Sequence, residues 1–264
     1  MKRLKIGVRL ESLGLSFRKA LAEASRLGVA GVRLDAVGDF SPQQLSQTGR
    51  RELRHLLRGH DLELTALGCP LRHGLDTADN QQPRLEHVKG VMSLSRELGP
   101  GKVIVEAGAV PNEEEADTPR AHTLRESLLV LALHGDRIGT FLALETGLES
   151  GQRLAAYLGS FDTGSLGVNY DPANLLLHGF DPYEGLRELR EYLRHMHARD
   201  ARRAGASRAA QEVPLGHGDI DWLRYADTLV EVEYSGWVVI ERQGGERRLA
   251  DIEEGVGFLR RFLP

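Results

Sequence analysis

Lys102-Val103-Ile104-Val105-Glu106, set between Pro100-Gly101 and Gly108, reads as the clearest strand in the chain. A run with helical spacing, Thr123 to Leu133, follows it. Thr140-Phe141-Leu142-Ala143-Leu144-Glu145 then makes another strand. Strand, helix and strand in that order imply parallel pairing, because a crossover helix returns the chain to the same end of the sheet. The unit repeats in both directions. Upstream, strands at Ile6 to Leu10, Gly31 to Asp35 and Leu62 to Leu67 are each followed by a helical stretch: Ser16 to Leu27, Pro42 to Arg58 and Arg84 to Leu98. Downstream, a helix at Gln152 to Leu158 leads to strand Leu166 to Asp171. Helix Pro182 to Tyr192 and strand Leu193 to Ala198 come next, then helix Ile220 to Leu229 and strand Trp237 to Glu241, with Leu249 to Phe262 closing as a helix.

Eight such units in 264 residues take about 33 residues each, and no shift of composition marks a linker. A closed (β/α)8 barrel needs about 250 residues, so one TIM-barrel domain over 1–264 is the economical reading. The rival, an open doubly wound sheet, calls for a glycine fingerprint after the first strand, where Leu10-Glu11-Ser12-Leu13-Gly14 stands instead.

Composition narrows the function. Hydrophobic residues are 41% and charged residues 27%, the mix of a globular chain rather than a disordered one. The net charge is −4, without the basic excess that displaces counterions from nucleic acid. No stretch approaches the roughly 20 apolar residues of a membrane span. The basic start Met1-Lys2-Arg3-Leu4-Lys5 runs into a short strand and Glu11 rather than the apolar core of a signal peptide. A lone Cys69 cannot form an internal disulfide, which suits a reducing compartment. The expectation is a cytoplasmic protein with a small-molecule partner, no nucleic acid and no membrane, and with homo-oligomerisation left open.

In a barrel, the C-terminal strand ends share one mouth, where the chemistry sits. Four consecutive strands end in metal-type ligands: Glu145, Asp171, His197 and Glu241. A charge that closes an apolar run such as Val238-Val239-Ile240-Glu241 is costly to bury unless paired or coordinated. One imidazole with three carboxylates is a mostly hard donor set, suited to a single divalent Mn, Mg, Co or Zn ion.

The text around these residues sharpens the reading. Leu144-Glu145-Thr146-Gly147, Asn169-Tyr170-Asp171-Pro172-Ala173-Asn174, His195-Met196-His197-Ala198-Arg199-Asp200, Pro214-Leu215-Gly216-His217-Gly218-Asp219-Ile220-Asp221 and Ile240-Glu241-Arg242 occur in order. Together they resemble the xylose isomerase-like TIM-barrel superfamily of sugar isomerases and epimerases, over about residues 140 to 245. The resemblance implies that Glu145, Asp171, His197 and Glu241 ligate one metal, which polarises substrate oxygens and lowers the cost of an enediolate. It also implies that Glu145 and Glu241 move the protons on opposite faces of a sugar or polyol. A dehydratase or lyase acting on a keto-inositol-like substrate would use the same parts. Endonuclease IV, a DNA-cutting relative, departs from the chain: it has a histidine where Asn174 stands.

Further candidates surround this set. His195 lies on the same strand face as His197 and could orient it or touch substrate. Arg199, His217 and Glu106 are substrate-binding candidates, and Arg9 and Glu11 are plausible pocket residues. Arg199, Arg202, Arg203, Arg208, Arg242, Arg247 and Arg248 could favour an anionic sugar, although Asp200, Glu212 and Glu246 are interleaved with them. Asp200 reads as structural, Glu113-Glu114-Glu115 as a solvated loop tip and Cys69 as part of a turn.

Overall fold

A computed structural model describes residues 4–205 and 209–262. Its strands are β1 (Lys5–Arg9), β2 (Gly31–Asp35), β3 (Glu63–Gly68), β4 (Lys102–Val105), β5 (Phe141–Glu145), β6 (Leu166–Tyr170), β7 (Leu193–Ala198), β8 (Asp200–Arg202), β9 (Gln211–Val213) and β10 (Trp237–Ile240). All but β8 and β9 form a closed parallel barrel in the order β1-β10-β7-β6-β5-β4-β3-β2. Closure is made by β1, which pairs with β10 on one side (Gly7 opposite Val239) and with β2 on the other (Arg9 opposite Arg33). The fold expected from the alternation is the one observed.

The helices are α1 (Phe17–Arg26), α2 (Gln47–Gly59), α3 (Gln81–Leu98), α4 (Pro119–Ile138), α5 (Gly151–Gly159), α6 (Pro172–Leu177), α7 (Pro182–Glu188), α8 (Trp222–Glu231) and α9 (Arg248–Phe262). Their starts carry the expected chemistry. Ser46, Thr118 and Ser150 accept the backbone N–H three residues on, and Asp181 and Asp221 cap α7 and α8. Two elements were not foreseen: the short helix α6, and the antiparallel hairpin of β8 and β9.

Strand side chains alternate between the barrel's inside and its helical jacket. Val8, Val32, Leu34, Val103, Val105, Leu142 and Leu144 join the large apolar cluster that contains the helices' buried faces. The opposite faces of the same strands carry Arg9, Arg33 and Asp35, Ile104 and Glu106, Ala143 and Glu145. A barrel interior is ordinarily filled by branched apolar side chains. Here a small separate cluster of Ala66, Ile104 and Ala143 fills part of it, and polar groups occupy the rest.

Candidate metal centre

Each of the four strand-end residues is positioned by its own local structure. Glu145 is the last residue of β5. Asp171 follows β6 and also caps α6: its Oδ1 accepts the Asn174 N–H at 3.0 Å, with Pro172 at the first helical position. That cap fixes the carboxylate, leaving Oδ2 to face Arg199 and His197. A register shift between Val168 and Asn169 sets Asn169 opposite His195 on β7. His197 lies two residues further along the same face, and Glu241 follows β10.

The four meet at one atom. His197 Nδ1 lies 3.2 Å from Glu145 Oε1, 3.2 Å from Glu241 Oε2 and 3.6 Å from Asp171 Oδ2. Asp171 is 0% exposed and His197 1%. Donor atoms of Glu145, Asp171 and His197 fall within 4.8 Å of one another, close enough to hold one ion. Glu241 stands outside that tight trio but faces the same nitrogen. Its Oε2 is buried without a hydrogen-bond partner, as expected of an atom shaped for a cation. The donor set and this orphaned oxygen fit a divalent metal.

Electrostatics agree. Burial alone would lower the His197 pKa, but the Glu145 and Glu241 carboxylates outweigh it and raise it to about 9. Burial alone would raise Glu241, yet His197, Arg33, Arg9 and Arg199 hold it well below the usual carboxylate range. Asp171 is likewise held low against its burial by Arg199 and His197. A proton on His197 would then occupy the place that a cation would take. Because His197 is raised above its ordinary value near 6.5, its contribution to stability is complete below about pH 6.5 and is lost as pH climbs through 9. Metal must displace that proton. Manganese affinity is therefore expected to rise about tenfold per pH unit from pH 7 and to level off above 9. Calorimetry in buffers of different ionisation enthalpy should show close to one proton released per ion at pH 7.5; zero release would contradict the assignment.

Residues behind these four side chains hold them in place. Asn169 donates to Glu145 Oε2 at 2.8 Å and lies 3.0 Å from His197 Nδ1, and its Oδ1 is 2.6 Å from His195 Nδ1. His195, 0% exposed, ends the chain of contacts at Thr65 Oγ1, 3.0 Å away. Burial, with His197 nearby, keeps it neutral. Arg199, 3% exposed, donates to Asp171 Oδ2 and to Asn174 Oδ1, each at 2.8 Å. Its Nε reaches Glu212 on β9 at 3.2 Å. Glu212 also accepts from Arg242 at 2.8 Å and from the backbone N–H groups of Gln243 and Gly244. The unforeseen hairpin thereby ties the loops after β7 and β10 together.

Beside these four side chains lies a small pocket, about 60 Å³, lined by Arg9, Arg33, Cys69, Pro70, Ile104, Glu106, Glu145, Asn174, His197, Glu241 and Gln243. A recess of about 200 Å³ shares Glu106, Glu145, Asn174 and Gln243 with it. Glu106 thus stands where the reading of strand ends placed it. Burial, with the Glu145 and Glu241 charges, raises its pKa. His195 and Arg199, expected to bind substrate, are absent from the pocket wall and contact Asn169 and Asp171 instead. His217 is exposed and lines a different groove with Leu215 and Phe258. Asp200 is structural: it accepts from the N–H groups of Ala201, Gly216 and Gly218 and from Trp222 Nε1. Cys69 is buried, and burial pushes its thiol up to about 12. The loop arginines are mostly engaged. Arg242 pairs with Glu212 and Asp251, Arg202 donates to the His217 carbonyl, and Arg247 lies 3.7 Å from Glu254. Arg208 lies outside the described residues.

Residues 21–262 match the family described as xylose isomerase-like TIM barrel. The chain belongs to that family. Among solved structures, a xylose isomerase domain protein from Planctomyces limnophilus is 25% identical, with a TM-score of 0.86 over 98% of this chain and 97% of its own. A D-tagatose 3-epimerase-like protein is 18% identical, with a TM-score of 0.81 over 98% and 97%. A curated relative, inosose dehydratase of Geobacillus kaustophilus strain HTA426, is 25% identical over 112 residues. That match spans 37% of this chain and only 36% of the dehydratase.

Within this xylose isomerase-like barrel, sequence reasoning missed Asn169, Arg33, Asp35 and Glu212. Asn169 was detectable, since it precedes Asp171 by two residues and so shares its strand face. Glu212 left no local signal, because its partners come from other loops.

Proposed function

We propose that the chain is a divalent-metal-dependent isomerase or epimerase of a sugar or sugar-like substrate, using Mn, Mg, Co or Zn. The convergence of three carboxylates on His197 Nδ1 beside a pocket at the strand ends supports this reading most strongly. Glu145, Asp171, His197 and Glu241 would hold the metal, which when bound polarises carbonyl and hydroxyl oxygens of the substrate. Glu145 takes the proton beside the carbonyl or returns it, and Glu241, on the neighbouring side of His197, does the opposite. Asn169 fixes the Glu145 carboxylate for that work, and Arg9 does the same for Glu241 at 2.7 Å. Solvent-deuterium incorporation next to a ketose carbonyl, dependent on added metal, is the test. A metal-loaded protein that exchanges no proton in a broad panel of ketoses and aldoses would refute it.

Loss of water from a keto-inositol-like substrate is the second reading. The short similarity to inosose dehydratase favours it, as does Glu106, a pocket carboxyl raised toward its protonated form and so able to give a proton to a departing hydroxyl. Appearance of an unsaturated product in place of a deuterated isomer would decide for it.

The same reading has the protein acting on small molecules in the cytoplasm, without nucleic acid. No described helix is long and apolar enough to cross a membrane. Asn174, where endonuclease IV has a histidine, is held by Arg199 and the Thr146 carbonyl, and the described residues show one group able to hold a metal. A single metal cannot clamp both the attacking and leaving oxygens of a phosphate displacement. Abasic duplex should therefore stay intact under every divalent metal. Incision that disappears in Glu145→Gln would overturn the sugar assignment.

A further inference from the structure

Arg33 sits in the barrel interior at the middle of β2 and is only 7% exposed. Its Nε and Nη1 are buried and reach no hydrogen-bond partner among the described residues. What it has are two loose ion pairs: Asp35 Oδ1 at 3.2 Å and Glu241 Oε2 at 3.8 Å. Both carboxylates already have a better partner in Arg9, which donates to Asp35 at 2.6 Å and to Glu241 at 2.7 Å. A buried guanidinium left with unsatisfied donors costs stability, and its ion pairs with Asp35 and Glu241 leave those two donors without a hydrogen bond. The space around it is nonetheless built. A Cβ on Gly68 would lie 2.0 Å from Asp35 Oδ1 and 2.5 Å from Arg33 Nη2, so glycine at that point of β3 is what admits the pair. Arg9 and Arg33 both line the pocket, with the Glu241 carboxylate between Arg33 and His197.

We propose that Arg33, with Arg9 beside it, seats a carboxylate of the substrate, making the substrate a sugar acid or other polyhydroxy carboxylic acid rather than a neutral sugar. This rests on the isomerase reading and narrows it. A monoanion suits the site better than a phosphate ester. Arg9 is engaged by Asp35 and Glu241, few donors remain for a third phosphate oxygen, and Glu106 and Glu11 stand close to the arginines. The reacting carbon would then lie on the Glu145 side of the pocket, with the acid end on the β1 and β2 side.

The test is calorimetric titration of the manganese-loaded protein with D-glucuronate and D-galacturonate, with their neutral parents D-glucose and D-galactose, and with D-glucose 6-phosphate. The uronates should bind about tenfold or more tightly than their parents, the scale of a charge-assisted hydrogen bond. In Arg33→Met that preference should fall below about twofold while one manganese per chain is retained. Melting temperature is followed alongside, because Asp35 and Glu241 lose a neighbouring cation, and affinities are compared at temperatures where the variant is fully folded. Absence of a uronate preference in the wild-type protein overturns the proposal. So does tighter binding of the phosphate ester, or a preference that survives in Arg33→Met at equal manganese content, which would make the metal itself the anion site. Deuterium exchange into a neutral ketose by a protein that ignores uronates would sink this inference and leave the isomerase reading standing.

Discussion

Replacing Glu145 or Glu241 by glutamine should lower turnover of a true substrate by about 10³-fold or more, within the range that positioned acid–base groups supply. The two losses have different physical origins. Glu145 takes one hydrogen bond from Asn169 at 2.8 Å and presents its other oxygen to His197. Glutamine can keep the Asn169 contact only by turning its NH2 toward the ligand nitrogen, where a donor repels a cation. Glu241 accepts from Arg9 at 2.7 Å and from Gln243 at 2.9 Å through Oε1. Its glutamine must keep the carbonyl there and offer NH2 in place of the ligand Oε2. Both variants should therefore bind manganese more weakly, so manganese must be added until occupancy is measured as complete. A residue that moves a proton stays inactive at full occupancy. One that only ligates recovers, and recovery in either variant would remove that glutamate from the proton transfers.

Arg199→Met should be the most destabilising single change near the site, by about 3–5 kcal/mol in the metal-free protein. The guanidinium is buried between Asp171, Asn174 and Glu212. Asp171, wholly buried, is kept ionised against its burial largely by this arginine, with His197 second. Methionine fills a similar volume but leaves that carboxylate with one cationic neighbour, and it cuts the link to the β8–β9 hairpin. A fall in melting temperature of about 10 °C is expected for a chain of this size. Divalent metal should return part of the loss, since the ion replaces the missing positive charge beside Asp171. A variant as stable as the parent without metal would show that the ion pair contributes little and that Asp171 is protonated when alone.

Much of this centre is legible before any coordinates. The alternation of apolar runs with helical spacing is local, and each period reports which face an element buries. A parallel barrel with its mouth at the strand ends follows from that order. Glu145, Asp171, His197 and Glu241 stand out because a charge terminating an apolar strand needs a partner, and four in succession need the same one. Arg9 shows where this reasoning ends. It was a plausible pocket residue at the end of the first strand, but its partner Glu241 is 232 residues away, and only the pairing of β1 with β10 brings them together.

The same limit explains the residues that pattern did not find. Arg33 in Gly31-Val32-Arg33-Leu34-Asp35 looks like any polar position of an alternating strand; whether it faces solvent or the barrel's interior depends on closure of the sheet. Glu212 lies in a short strand paired antiparallel with β8, and it becomes a hub only because Arg199 and Arg242 arrive from separate loops. His195 and His197 carry the same spacing signal and the same chemistry. A register shift beside Asn169 and the depth of the barrel turn one into a neutral contact of Thr65 and leave the other facing three carboxylates. Local periodicity is enough to specify elements and the end of the barrel that bears the chemistry. Side-chain roles within that end come from packing among residues distant in the chain, because burial and charge pairing depend on neighbours that no local window contains.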